Sequence, residues 1–269
     1  MGQEQWTSSV AAEWGIFLPP ARPSLSELVV IETRLFERKK NNPGLRVGIL
    51  GSTPEYRDLC QTYAIDYRCV DYRQDNFDTL GRHLLHPDGA ERLIVSDWRK
   101  MEFPGQIDVW LGDLATTVTP VSDHRVMFEN IRAHSRPGAE VILKVPLRAD
   151  NTVLTHEQIF ALYRAERAHL NPFAAVWIEV LLADYDFAAD TMYCPTSRAR
   201  LEESCRQGIV SEFEFGEFTK RWDVLGDFKM NIPLRSEFVA RLREFFPVIK
   251  FTSGQDWYRE QVPIIIGRY

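Results

Sequence analysis

The stretch Arg46–Arg57, RVGILGSTPEYR, constrains this chain most. An apolar run (Val47, Ile49, Leu50) reaches Gly51 and then breaks into Ser52-Thr53-Pro54-Glu55. The pattern predicts a buried strand, a tight turn and a helix with Thr53 at its N-cap. Pro54 falls at the first helical position, where its missing N–H costs nothing. A strand that turns directly into a helix N-terminus is the nucleotide-binding corner of a doubly wound sheet. Two of the three glycines of a dinucleotide fingerprint are missing, which leaves less bare backbone for a pyrophosphate. Asp71 ends the next strand-like segment, twenty positions after Gly51. A carboxylate there can accept from both hydroxyls of a ribose. Ribose without pyrophosphate points to an adenosyl ligand other than NAD.

Strand-like and helix-like segments alternate at 45–50, 54–64, 66–70, 75–85, 91–95, 107–111, 122–134 and 139–145. Such alternation predicts a parallel sheet with helices on both faces. Residues 1–23 read as an extended lead-in. Ser24 with Glu27 then makes a capping box for a helix through Lys40, so 1–44 form lead-in plus helix. After Pro146 the pattern changes. Thr155 with Gln158 opens a helix toward Leu170, and Asn171-Pro172 opens another through Tyr185. Gly208 closes a polar segment, Ser236 caps SEFVARLREFF, and PVIKF and PIIIGRY read as two final strands.

The order of these elements resembles the class I S-adenosylmethionine-dependent methyltransferases, in their small-molecule branch. The resemblance covers roughly residues 45–145 and resumes in the last strands. LGSTPE stands where that family carries a glycine-richer loop, and Asp71 matches its ribose-binding acid. Asp97-Trp98, after ERLIVS, matches the position that holds the adenine amine and flanks the ring. IDVWLGDLATT matches the motif ending beside the methyl group. The resemblance implies an α/β fold over 1–269: a doubly wound, mostly parallel seven-stranded sheet with a C-terminal antiparallel strand. Between strands 5 and 6, where the family needs one helix, the chain departs from it with an expected helical insertion, 150–230. Roughly a hundred residues lie there, far beyond an ordinary connection. Placed beside the strand C-termini, the segment is expected to form a lid or substrate pocket; the alternative is a dimerisation arm.

The implied cofactor is S-adenosyl-L-methionine, with S-adenosyl-L-homocysteine as product. Its expected contacts are Gly51, Ser52, Thr53, Glu55, Asp71, Asp97, Trp98 and Asp113. Asp113 lies over the sheet edge near the sulfonium, with Gly112 allowing close backbone approach. It is a candidate for catalysis together with His124, a candidate general base. Glu55 is also explained by its place in the first turn of a helix, and His124 by a helix face. Tyr163, Trp177 and Tyr185 are candidates for substrate contact, although an aromatic stripe at such spacing also describes a core. Methyl transfer from a sulfonium needs alignment and exclusion of water more than a dedicated residue.

Composition narrows the partners. A formal net charge of −6 disfavours a phosphate backbone, so no nucleic acid is expected. Arg38-Lys39-Lys40 is the one compact basic run, and the negative end of a helix dipole accounts for it. No stretch approaches membrane-spanning length, and no basic, then apolar, leader opens the chain. Four cysteines without C-x-x-C spacing predict buried thiols in a cytoplasmic protein and no metal site. His83, His86 and Asp88 likewise read as a solvated helix end. Competing readings are a nicotinamide-dependent (NAD(P)) oxidoreductase sharing the corner, and a non-catalytic adenosyl-binding module.

Overall fold

The computed structural model describes residues 5–102 and 105–269. The described part of the lead-in, from residue 5, is folded, not extended: α1 (Ser8–Ala12) and a 3-10 turn at Trp14–Ile16 precede α2 (Leu25–Asn41). Thr7 caps α1, and Val10, Trp14 and Phe17 bury one apolar face, a spacing of helical period that overrides the Pro-rich reading. Next come β1 (Arg46–Leu50), α3 (Pro54–Thr62), β2 (Asp66–Asp71), α4 (Gln74–Leu80), β3 (Leu93–Val95) and β4 (Ile107–Asp113). α5 (His124–Ala133) and β5 (Ser135–Lys144) complete the alternating half. The expected 75–85 helix stops at Leu80, and His86 lies in a bend beyond the 3-10 turn Gly81–His83. Asp88 is held by Arg57 and by the Tyr67 hydroxyl.

The following segment contains α6 (His156–Leu162), a π-turn at Tyr163–Arg167, α7 (Pro172–Ala183), β6 (Met192–Tyr193) and α8 (Cys194–Arg206). α9 (Glu212–Leu225) and β7 (Lys229–Met230) close it, β6 pairing with β7 in a small antiparallel ribbon. α10 (Arg235–Arg243), β8 (Val248–Thr252) and β9 (Ile264–Arg268) end the chain. The capping boxes at Ser24, Thr155 and Ser211 all form. Ser236 caps nothing: Leu234 bridges extended to Arg148, so the helix begins at Arg235. Gly208, at φ +75°, ends α8 in a left-handed turn.

The main sheet runs β3-β2-β1-β4-β5-β9-β8. β1 to β5 pair in parallel, and β9 runs antiparallel between β5 and β8. Strand alternation divides the core. Val47, Ile49, Val109, Leu111 and Ile142 pack under α2 and α3 with Ile31, Leu35 and Tyr56. Leu50, Trp110, Val141 and Leu143 pack on the other face against Phe128 and Ile131 of α5 and Phe238 of α10. A third cluster joins the lead-in to α6–α9 through Trp14, Phe160, Phe173, Phe218 and Trp222. Among the described residues, no helix is long and apolar enough to cross a membrane.

Candidate functional site

The site lies at the C-terminal ends of β1, β2 and β4. β1 ends at Leu50, and Gly51 takes φ +90°, a conformation a side chain would strain. Its N–H donates to Val70 O (2.8 Å), which pins the turn to β2. Thr53 occupies the N-cap position, but its hydroxyl makes no cap bond, and it and Ser52 face a cavity. Asp71 reaches the same cavity. Its carboxylate accepts from Ser52 Oγ (2.6 Å), Arg73 N (3.3 Å) and Asn76 Nδ2 (3.4 Å). Burial pushes this carboxyl up from its ordinary range, and those hydrogen bonds pull part of the way back.

Asp113 approaches from the end of β4, with its side chain 2% exposed. Lys144 Nζ stands 3.5 Å away and 3.0 Å from Glu27, and donates to Arg22 O (2.7 Å). Asp113 Oδ1 makes no hydrogen bond. Burial lifts this carboxyl to about 7 despite the opposing pull of Lys144, with Glu27 and Glu55 adding to the rise. The neighbouring Gly112 serves packing: a Cβ there would lie 2.8 Å from Leu143 Cδ2. Leu114 then turns the chain with φ +54°, an uncommon conformation for leucine, and lines the cavity with Ala115 and Val118.

Tryptophans supply the remaining walls. Trp98 donates from Nε1 to Val70 O (2.6 Å), and its ring closes over Gly51. Trp6 and Trp14 enter from the lead-in, edge to face with centroids 5.9 Å apart. Asn76 donates to Trp6 O (2.8 Å), which couples the lead-in to Asp71. With these side chains in place the cavity holds about 90 Å³, short of the roughly 300–1,000 Å³ typical of ligand pockets. The lead-in covers the site.

Gly51, Ser52, Thr53, Asp71, Trp98 and Asp113 therefore line one cavity. The other candidates do not line it. Glu55 turns to the lead-in, accepting from Trp14 Nε1 (3.2 Å) and Arg22 Nη2 (2.5 Å). Asp97 is taken up by Arg99: Oδ1 accepts its backbone N and Nε (both 2.9 Å), and Oδ2 accepts Nε (3.1 Å) and Nη2 (2.6 Å). Burial raises the Asp97 carboxyl, but the Arg99 bonds outweigh it and hold it below its ordinary range. Three N–H groups of Arg99 engage this carboxylate, the Nε–H shared between its two oxygens.

His124 is a core residue. Its Nε2 donates to Thr116 O (2.9 Å) and Thr119 O (3.0 Å), and the ring packs on Phe128 and Phe238. Burial drops it to about 4, so the imidazole is neutral at neutral pH and staples the loop after β4. Tyr163, Trp177 and Tyr185 belong to the third core cluster. Tyr163 donates to Leu170 O (3.2 Å), and Tyr185 donates to Asp190 (2.9 Å) while accepting from Ile232 N (3.0 Å). Both tyrosine hydroxyls are thus hydrogen-bonded within this part of the chain. Sequence reasoning missed Trp6, Trp14, Asn76 and Lys144; the helical spacing of Val10, Trp14 and Phe17 was a signal for the lead-in tryptophans, and none marked Asn76 or Lys144.

No protein-family model matches the chain, and no curated protein matches it. Solved structures do resemble it. The CcbJ methyltransferase from Streptomyces caelestis superposes with a TM-score of 0.60 at 9% identity, covering 98% of each chain. CalS10 from Micromonospora echinaspora, an amino pentose methyltransferase solved with S-adenosylmethionine, has a TM-score of 0.52 at 10% identity over 90% of each chain. A Rhodobacter sphaeroides protein provisionally named a Zn-dependent alcohol dehydrogenase has a TM-score of 0.54 at 17% identity, covering 98% of this chain and 99% of its own. Likeness at such identities establishes architecture. The chain has the Rossmann-like fold of the class I methyltransferases.

Proposed function

We propose that this chain is an S-adenosylmethionine-dependent methyltransferase acting on a small molecule. One observation carries the reading. Asp71 and Asp113, neither paired with an arginine side chain, face a cavity walled by three tryptophans at the C-terminal edge of a doubly wound sheet. Such a cavity suits a ligand that combines a ribose, an aromatic base and positive charge. Carboxylates accept from ribose hydroxyls and ammonium groups, and indole faces attract cations. The unbonded Asp113 Oδ1 and Asn76 Oδ1 are further acceptors in this region.

Asp71 is the ribose acceptor in this reading, with Ser52 and Asn76 holding its carboxylate in place. Trp98 gives the base an apolar face. Asp113 takes the cationic end, and Gly51, Ser52 and Thr53 present backbone at the turn. When bound, the cofactor supplies a methyl carbon already activated by a sulfonium. The tasks left to the chain are alignment and the exclusion of water. Admission of an adenosyl group requires the lead-in, with Trp6 and Trp14, to swing outward and then close again. CcbJ and CalS10, a methyltransferase and an amino pentose methyltransferase by name, support the small-molecule class. Residues 150–230 set substrate choice through the backing they give the lead-in: Trp6 packs edge-on against Phe228, 5.9 Å between centroids.

Calorimetric titration with S-adenosylmethionine and NAD in parallel tests the reading. Saturable binding of the sulfonium compound with no heat from NAD supports it. Binding of NAD alone would assign the chain to the oxidoreductases.

A further inference from the structure

Behind the cavity lies a buried charge cluster that does not balance. Glu27 of α2, Glu55 of α3 and Asp113 of β4 face Arg22 of the lead-in and Lys144 of β5. Tyr56 of α3 is enclosed among the three carboxyls, which, after burial itself, discourage its ionisation. Tyr258 sits beyond Lys144, its ring centroid 6.0 Å from Nζ. The two cations are unevenly shared. Arg22 is taken by Glu55 at 2.5 Å. Lys144 lies closer to Glu27 (3.0 Å) than to Asp113 (3.5 Å) and spends another N–H on Arg22 O. Glu27 also accepts Ser24 N (2.8 Å), and Glu55 accepts the Trp14 indole. Asp113 alone of the three has no short donor, and it alone lines the cavity.

We propose that a cationic ligand entering the cavity displaces a proton held by Asp113, so that cofactor binding is coupled to proton release. The inference rests on the reading of the cavity as an S-adenosylmethionine site. With the cavity free of cation, the cluster holds one carboxyl more than its cations neutralise, and the least-bonded carboxyl carries the proton. A bound cation supplies the missing charge, the carboxyl ionises, and the proton leaves to buffer. Burial that lifts Asp113 to about 7 puts this exchange near neutral pH. Linkage then requires about 0.9 proton released per ligand at pH 6 and about 0.1 at pH 8.

Titration calorimetry of the full chain with S-adenosylmethionine, in buffers of different ionisation enthalpy, reads that number directly. The Asp113→Asn variant, which keeps the shape but holds no exchangeable carboxyl proton, is titrated alongside. At pH 6 the ligand's own amine, which titrates near pH 8, is already protonated and adds almost nothing to the count. The expected difference between wild type and Asp113→Asn is about 0.9 proton at pH 6, shrinking to about 0.1 at pH 8. Where the variant binds too weakly to titrate, the wild-type release must still fall from pH 6 to pH 8. Tight binding with no net release at pH 6, or the same release from the variant, overturns the proton coupling and leaves the cofactor reading standing. Absence of S-adenosylmethionine binding at both pH values removes the cofactor reading itself.

Discussion

The sheet edge and the helical segment that follows it treat their buried acids in opposite ways. In α6–α9 the buried carboxylates have cationic or multiple polar partners: Glu179 pairs with Arg167 (2.8 Å), Glu214 with Arg164 (2.5 Å) and Glu217 with Arg221 (2.9 Å). Asp184 accepts Ser197 Oγ (2.5 Å) and lies 3.4 Å from His156. At the sheet edge, Asp71 is held only by neutral donors, and Asp113 has a shared lysine at 3.5 Å. Removing charge from water is expensive, so a carboxylate left without a full partner is a place where a ligand can supply one. The paired acids hold the protein together. The less fully paired ones at the sheet edge are, in the proposed reading, left for a ligand.

Substitutions sharpen that contrast. The largest effect is expected at Asp71→Ala, which removes a charge-assisted hydrogen bond worth about 1.5–3 kcal/mol. Affinity for S-adenosylmethionine should fall at least about tenfold while circular dichroism stays unchanged; full affinity in a folded variant would take Asp71 out of the site. Glu217→Gln should do the reverse, lowering the melting temperature by several degrees and leaving affinity within a few-fold. Its carboxyl is held at about 2 by hydrogen bonds from Asn171, Lys220 and Arg221 that overcome burial. The stability it contributes is present above its unfolded value near 4.5 and is lost as pH falls toward 2. Equal loss of affinity and stability in Glu217→Gln would erase the distinction between the two regions.

Asp113→Asn should trade binding for stability. The wild-type carboxyl rises from 3.8 to about 7 on folding, so between those values the native state holds a proton the unfolded chain has lost. Stability from this group therefore falls as pH rises through that window. Without ligand, the asparagine variant should melt a few degrees above wild type at pH 8 and together with it at pH 4. A variant less stable than wild type at pH 8 would show that the ionised carboxyl is adequately paired after all. A smaller effect is expected at Trp14→Phe, which loses the indole bond to Glu55. Stopped-flow fluorescence should show cofactor release severalfold faster, and an unchanged rate would mean that the lead-in does not govern exchange.

The sheet was readable because strand and helix periods alternate cleanly from Arg46 to Lys144, and because Gly51 and Pro54 punctuate the first crossover. The positions of Asp71 and Asp113 at strand ends were readable for the same reason: a strand end fixes where a side chain emerges. Arg99 is a different case. An arginine two residues beyond Asp97 folds back onto it, and sequence order alone does not reveal that the acid is already occupied. His124 donates to carbonyls supplied by the irregular loop of Thr116 and Thr119, which no periodicity announces. Tyr163, Trp177 and Tyr185 show why an aromatic stripe is ambiguous: burial against other helices and burial against a ligand demand the same residues. The lead-in was misread because its prolines outweighed the short apolar face of Val10, Trp14 and Phe17.

A structure of the chain with S-adenosyl-L-homocysteine bound tests the central claim most directly. The account predicts the ribose hydroxyls on Asp71, the base against Trp98, the amino-acid end toward Asp113, and the lead-in closed over them through Trp6 and Trp14. Ligand bound away from Asp71 and Asp113, with this cavity still sealed, would contradict it.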